Sequence, residues 1–169
     1  MKGEVVPFRA AHLEQLTLQP AQAAWRGRID GETGAALEAS ALAWTLLSGR
    51  QVIGCGGVID RGGGRGEAWA LLAQDAGPAM LAATRAVRRY FETAPFRRIE
   101  AVTALDFAPA ARWTRLLGFT REGRMRAFCD NGGDAERWAF IVHPAAPSDR
   151  PCRPENTNKE QPWPGPEQS

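Results

Sequence analysis

The feature that most constrains this chain is the join between a helix and a strand in the stretch 112–128, RWTRLLGFTREGRMRAF. Its first half has the apolar spacing of an amphipathic helix, which Asp106 is predicted to cap and whose first turn tolerates Pro109. Gly118 fits the position after the helix, where the left-handed conformation costs least without a Cβ. Three basic residues then alternate with other side chains, as they do in a strand. The stretch therefore predicts a helix that turns directly into a strand of a sheet.

Strand and helix patterns alternate along the rest of the chain. The segment after Pro78 has apolar residues at helical spacing, and a DNGGD turn joins the last two strands. Strands are predicted in 3–10, 41–49, 50–60, 67–73, 97–105 and on both sides of DNGGD within 123–142. Helices are predicted in 12–18, 21–29 and 107–117, and from a start at Gly77-Pro78 through Phe91. The segment 31–40 stays open between a loop and a short turn. This order predicts an α/β or α+β fold, in which a central mixed sheet of about six to seven strands is flanked by about four helices.

The end of the chain has a different composition. From Pro144 onwards it holds seven of the 12 prolines and almost no aliphatic side chains. Such a segment buries too little apolar surface to offset the entropy lost on ordering. We therefore predict one folded domain over residues 1–143 and a disordered proline-rich tail over residues 144–169. A short binding motif around Trp163 is the alternative for the tail.

Composition excludes several classes of function. The net charge is only +2, which gives no strong field for nucleic acid or an anionic membrane. No apolar run reaches the length of a membrane span, and the N-terminus lacks the apolar core of a signal peptide. Cys55, Cys129 and Cys152 form no Cys-x-x-Cys pair, and His12 and His143 are far apart in sequence. We therefore expect reduced thiols, a cytoplasmic protein and no metal site.

The order of these elements resembles a known fold. Together with Leu117-Gly118-Phe119 and Glu122-Gly123, it resembles the GNAT fold of the Gcn5-related N-acetyltransferases over about residues 3–142. In that family a Leu-Gly-Phe signature leads from a helix into the sixth strand, and Phe119 would fill the space between helix and sheet. This is a packing signature, so it reports the fold rather than the chemistry. The resemblance implies an acyl-CoA donor between the fourth and fifth strands and acetyl transfer to an amine.

The resemblance also implies where acetyl-CoA would bind. The family's pyrophosphate loop has the pattern Gln/Arg-x-x-Gly-x-Gly/Ala, whose positions Gln74, Gly77 and Ala79 match. Backbone N–H groups and the helix dipole converge at such a helix start and favour anions. Leu72 and Ala73, at the end of the fourth strand, complete the predicted acetyl-CoA site.

Other positions depart from the family pattern. Asp75 places a negative charge in the loop, and Pro78 removes one backbone N–H. Thr114 stands where many members have a tyrosine that acts as general acid, and a threonine hydroxyl is too weak an acid for that role. The resemblance leaves Glu67, which opens the fourth strand, as the predicted catalytic base acting through water. Glu100 on the adjacent strand is the second candidate.

Two functions therefore stay open. The first is an acyl-CoA-dependent N-acyltransferase acting on an unidentified amine of a small molecule or a protein. The second is a catalytically degenerate protein similar to the GNAT-like proteins of phages and prophages, a group that includes a podovirus internal virion protein. The phrases TRAVRRYF and ARWTRLLGF resemble that group. Such a protein would act in virion assembly or on a host protein, in the host cytoplasm or the virion.

Overall fold

Seven strands form one sheet in the computed structural model, which describes residues 3–25, 31–40 and 42–142. The strands are β1 Gly3–Pro7, β2 Ala43–Ser48, β3 Gln51–Asp60, β4 Arg65–Leu72, β5 Arg98–Ala104, β6 Thr120–Met125 and β7 Ala135–Ile141. Their order in the sheet is β1-β2-β3-β4-β5-β7-β6, and every neighbouring pair is antiparallel except β4 with β5. The predicted mixed sheet is therefore confirmed.

Helices cover both faces of this sheet. They are α1 Ala11–Gln15, α2 Gly31–Ala39, α3 Met80–Thr93 and α4 Ala108–Leu116, with 3-10 helices at Pro20–Trp25 and Gly77–Ala79. His12 of α1 makes a 2.7 Å hydrogen bond with the hydroxyl of Thr45, whereas Tyr90 of α3 packs on the ring of Trp44. Since neighbouring residues of a strand point to opposite faces, α1 and α3 lie on opposite sides of β2.

The first helices differ from the predicted ones. The predicted helix 12–18 is shorter, because Leu18 instead forms an isolated antiparallel bridge with Ala73, just beyond β4. The predicted helix 21–29 is a 3-10 helix up to Trp25, and its remaining residues lie outside the described ones. Leu18 and Gln22, which follow α1, therefore contact the end of β4, and this contact affects the candidate site.

The segment left open at 31–40 forms α2. This helix is fastened to the start of α1, because the Glu38 carboxylate accepts a hydrogen bond from the backbone N–H of Ala10 at 2.8 Å. Among the described residues, no helix combines the length and the apolar composition that a bilayer crossing requires. The tail 144–169, with its alternative motif at Trp163, lies outside the described residues, so both predictions for it stay predictions.

The join between α4 and β6 forms as predicted at Gly118. Gly118 follows the last helical turn with φ +99°, a left-handed backbone that favours glycine. Phe119 is buried against Phe91 of α3 and Phe140 of β7, with ring centroids 5.5 Å and 5.8 Å away. The predicted cap Asp106 is wrong: Phe107 precedes the first helical residue, and no side-chain hydrogen bond caps the helix. Asp106 lies one residue too early, in the turn after β5.

The core divides into two clusters along the sheet. One lies between β1–β4 and the first helices and contains Phe8, Ile53 and Leu71. The other lies between β5, β7, α3 and α4, and its most deeply buried side chains are Ile99 and Trp138. The indole of Trp113 packs against both clusters. The second cluster also includes Val58 of β3, so the two clusters meet over β3 and β4, beside the gap in which the candidate site lies.

Candidate active site

The parallel strands β4 and β5 pair only over a short distance. Their ladder covers three residue pairs and ends at Glu67 with Glu100, after which the strands diverge. The N–H of Ala73 donates to the carbonyl of Ile53 at 2.9 Å, which fixes the alternation of β4 against β3. By that alternation, Ala70 and Leu72 turn their backbone groups away from β3 and towards the gap. β4 therefore presents an open hydrogen-bonding edge next to β5.

The side chain of Gln22 lies on this open edge. Its Nε2 donates to the carbonyl of Ala70 at 2.7 Å, and its Oε1 accepts from the N–H of Leu72 at 2.8 Å. The N–H of Gln19 donates to the carbonyl of Leu72 at 3.0 Å. A residue of a parallel strand opposite Leu71 would make the same two bonds with its own N–H and C=O. The amide of Gln22 thus takes the place of one peptide unit of an additional parallel strand.

A cavity of about 980 Å³ adjoins the edge. This volume is at the upper end of the roughly 300–1,000 Å³ typical of small-molecule and cofactor sites. Its sheet side is formed by small residues of β3 and β4, among them Gly54, Gly56 and Ala70, and its other walls come from α3 and α4. Of the described residues that line it, only Arg89 and Arg112 carry a charge, and both are cationic. The cavity therefore suits a largely apolar ligand with anionic groups at its rim.

The predicted bases lie at the closed end of the gap. Glu67 and Glu100 are the last residues that pair between β4 and β5, but neither is among the residues that line the cavity. The Glu67 carboxylate accepts from Arg61 at 2.8 Å, and that of Glu100 accepts from Arg98 at 2.7 Å. The Glu67 side chain is 43% exposed, so water reaches it. Its role as a base stays a prediction, and the structure adds that the carboxylate would have to leave Arg61.

The predicted acetyl-CoA loop follows β4 directly. Leu72, Ala73, Gln74 and Gly77 line the cavity, whereas Ala79 is buried and does not. The structure thus brings four of the five predicted residues to one opening.

Several backbone donors of this loop are already in use. The N–H groups of Ala76, Ala79 and Met80 donate to carbonyls three residues earlier, and Pro78 has none to offer. The carboxylate of Asp75 accepts from the side chain of Gln51 at 3.3 Å. An anion at this helix start would therefore find fewer free N–H groups than such a terminus usually provides.

Comparison with known proteins identifies the arrangement. No family model matches the chain, and no curated protein matches it. Among solved structures, Ard1 from Thermoplasma volcanium has a TM-score of 0.67 at 12% identity, over 83% of this chain and 97% of that one. The ribosomal-protein-S5-alanine acetyltransferase from Vibrio fischeri has a TM-score of 0.60 at 17% identity, over 86% and 96%. A GNAT-family acetyltransferase from Bacillus anthracis has a TM-score of 0.57 at 16% identity, over 83% and 95%. The chain has the GNAT fold.

Identities of this size show the fold alone, and the resemblance to phage-encoded proteins has no support among these structures. Within the GNAT fold, Thr114 occupies the predicted position on α4, where it is buried. Beside it, the indole Nε1 of Trp113 donates to the hydroxyl of Thr84 on α3 at 2.9 Å. This bond ties the two helices together across the cavity wall. A threonine hydroxyl at this position of α4 is too weak an acid to protonate a thiolate.

Tyr90 lies on α3 and not on α4, but residues of both helices line this cavity. Tyr90 lines the cavity, and its hydroxyl is buried and has no hydrogen-bond partner among the described residues. Burial raises the pKa of Tyr90 above its usual value, so the phenol stays neutral and able to donate. Gln22 was missed because nothing in its local pattern indicates a contact about 50 residues away. The helical spacing of Ala83, Val87 and Tyr90 did carry a signal for Tyr90.

Cys55 also lines the cavity, from β3. Burial raises the pKa of its thiol to about 11, although a hydrogen bond with the hydroxyl of Thr45 acts in the opposite direction. The thiol is therefore protonated at neutral pH and is not a nucleophile. Within residues 3–25, 31–40 and 42–142, no group of three or more His, Cys, Asp or Glu side chains is placed to hold a metal ion.

Proposed function

We propose that the protein is an acyl-CoA-dependent N-acyltransferase whose donor binds between β4 and β5. The observation that carries this proposal is the early end of the β4–β5 ladder at Glu67 and Glu100, beside a cavity whose charged lining residues, among those that the structure describes, are all cationic. The GNAT fold that this chain shares with solved acetyltransferases supports it. The acceptor is an amine, of a small molecule or of a protein.

The residues around the gap fit such a donor. The pantetheine arm carries amides, which need donors and acceptors along an edge, and Ala70 and Leu72 offer both. Gln74 and Gly77 line the opening towards the start of α3, where the phosphates would lie. Arg89 and Arg112 add positive charge at the rim. No acidic side chain among the described lining residues opposes an anionic ligand.

The proposed reaction requires few chemical groups from the protein. Acyl-CoA supplies a thioester, whose carbonyl carbon forms a C–N bond with the amine as the C–S bond breaks and CoA leaves as thiolate. A backbone N–H that points into the gap, such as that of Ala70, would stabilise the negative oxygen that develops. The amine must lose a proton, which Glu67 could accept through water once Arg61 is displaced. Thr114 gives no proton to the thiolate, so that proton comes from solvent.

A second candidate is favoured by the contacts of Gln22. In a catalytically degenerate protein the gap would stay closed, and the amide of Gln22 already bonds to Ala70 and Leu72. The missing tyrosine at Thr114 and the occupied N–H groups before α3 agree with this reading. Such a protein would act by binding a virion or host protein.

Binding and transfer experiments separate the two candidates. Acetyl-CoA at about 100 times its dissociation constant should stabilise the full chain by roughly 2.7 kcal/mol, which thermal denaturation detects. ADP serves as the control ligand, since it carries a nucleotide diphosphate but no pantetheine. Release of free CoA thiol in the presence of an amine panel then measures transfer. Binding together with transfer supports the acyltransferase. No thermal shift with millimolar free CoA, acetyl-CoA or longer acyl-CoA thioesters would overturn it and favour the degenerate protein, whose gap stays closed.

A further inference from the structure

The cavity extends sideways well beyond the gap between β4 and β5. Trp44 of β2, Gly56 of β3 and Ala70 of β4 are register partners in one row across the sheet, and all three line the cavity. The next row repeats this arrangement with Leu46, Gly54 and Leu72. The cavity thus reaches two strands away from the open edge, which is about 10 Å at the usual strand spacing. We call this lateral part, over β2 and β3, the side chamber.

Small residues on both sides create the side chamber. The sheet contributes Gly56, and α3 faces the cavity with Ala83 and Ala86. Over Gly54 the side chain of Leu72 fills the space, because a Cβ added at Gly54 would lie 2.7 Å from its Cδ2. A Cβ added at Gly56 would lie 2.9 Å from the carbonyl oxygen of Trp69, so only glycine fits between the strands there. Close packing normally fills such a space with larger side chains, since an empty apolar volume costs stability. The side chamber is an unfilled apolar space next to the proposed donor gap, which indicates that part of a ligand occupies it.

The lining defines the chemistry of that ligand. Alanine, valine, leucine and aromatic side chains dominate the lining of the side chamber. An uncharged alkyl chain suits such walls, whereas a charged group would lose its solvation without gaining a partner. A length of about 10 Å takes roughly six to eight carbons at a C–C bond length near 1.5 Å.

We infer that the donor carries an apolar acyl chain of about six to eight carbons, and that this chain lies in the side chamber. This inference rests on the proposed function, because the chain enters from a thioester placed at the edge of β4. Acetyl-CoA would then be a poor donor that leaves the side chamber empty.

Isothermal titration calorimetry with a series of acyl-CoA thioesters tests the inference on the full chain. The series is acetyl-, butanoyl-, hexanoyl-, octanoyl- and palmitoyl-CoA, with free CoA as the reference. Up to about eight carbons, each added methylene should tighten binding about three- to fourfold, and palmitoyl-CoA should bind no better than octanoyl-CoA.

Two variants at matched positions of α3 locate the chain. Ala86 lines the cavity and Ala82 does not, although both are half-buried. Ala86→Leu should lower the preference for hexanoyl- over acetyl-CoA at least tenfold, whereas Ala82→Leu should keep it. If Ala86→Leu fails to fold, the smaller substitution Ala86→Val at the same position replaces it.

The possible outcomes distinguish a failure of the side-chamber inference from a failure of the proposed function. A preference for acetyl-CoA, or equal affinity along the whole series, would overturn the side-chamber inference and leave the proposed function standing. Equal effects of Ala86→Leu and Ala82→Leu would also overturn it. No binding by free CoA or by any thioester would overturn the proposed function, and this inference with it.

Discussion

Replacement of Gln22 by alanine is expected to tighten acyl-CoA binding while it destabilises the free protein. The Gln22 amide makes two hydrogen bonds, of 2.7 Å and 2.8 Å, to the edge groups that a pantetheine arm would use. A ligand must break both bonds before it can make its own. The same two bonds hold the 3-10 helix Pro20–Trp25 against β4 in the absence of ligand.

The structure sets the size of both effects. A net hydrogen bond contributes about 0.5–1.5 kcal/mol, so two partly buried ones contribute about 2 kcal/mol together. Without that competition the dissociation constant of acetyl-CoA should fall by roughly thirtyfold. The free energy of unfolding should fall by about 1–2 kcal/mol, because water replaces part of what Gln22 provided.

Calorimetric titration and urea denaturation measure the two quantities on the same preparations. Gln15→Ala is the matched control, since Gln15 is exposed and its side chain donates only a 3.3 Å bond to the carbonyl of Ala11 within α1. The control should change neither quantity appreciably. Weaker acetyl-CoA binding by Gln22→Ala than by the unmodified chain would refute the reasoning, because it would make Gln22 a ligand contact instead of a competitor.

Three further substitutions test the cavity and the join, with urea denaturation as the measurement. Tyr90→Phe should leave the free energy of unfolding unchanged or raise it by up to about 1 kcal/mol, since the hydroxyl lacks a partner; a larger loss would reveal one. The raised pKa of Cys55 means that the folded chain keeps a proton that the unfolded chain releases, so stability is lost as pH rises from about 9 to about 11. Cys55→Ser should remove about 2–3 kcal/mol of that alkaline loss, and an unchanged pH profile would contradict it. Gly118→Ala should lower the free energy of unfolding by about 1–2 kcal/mol, because φ is +99° and the new Cβ would lie 3.2 Å from the Phe140 ring. The control Gly123→Ala, with open space around it, should lower it by under about 0.5 kcal/mol.

The parts of the fold that were predictable have local causes. Gly118 ends a helix through its own backbone preference, and the DNGGD turn closes the last hairpin through its glycines, so both could be read from a few residues. The cap at Asp106 failed by one residue, because the turn after β5 fixes where α4 begins. Helix boundaries depend on such neighbours more than on the capping residue alone.

The site was less predictable, because its geometry is non-local. Matching the loop pattern found Gln74 and Gly77, which do line the cavity, but not that the N–H groups around them are in use. Gln22 reaches β4 from about 50 residues away and follows no periodicity that would reveal the contact. The side chamber arises from small residues on β3 and α3, each unremarkable in sequence until the register aligns them. The use of the loop N–H groups, the contact of Gln22 and the shape of the side chamber all depend on tertiary packing, which sequence patterns do not specify.

The short ladder between β4 and β5 has a mechanical consequence. Among the described residues, the backbone hydrogen bonds that join the two halves of the sheet are confined to a short stretch. They comprise the pairs from Arg65 with Arg98 to Glu67 with Glu100, together with the carbonyl of Gly64, which accepts from the N–H groups of Arg97 and Arg98. Each half is a continuous hydrogen-bonded sheet, and the short ladder can act as a hinge between the two halves. A rotation of about 5° about this ladder would move the end of β4, five residues further on, by roughly 1.5 Å at the usual rise per residue. The gap between β4 and β5 can thus widen for a ligand without the loss of a backbone hydrogen bond within either half of the sheet.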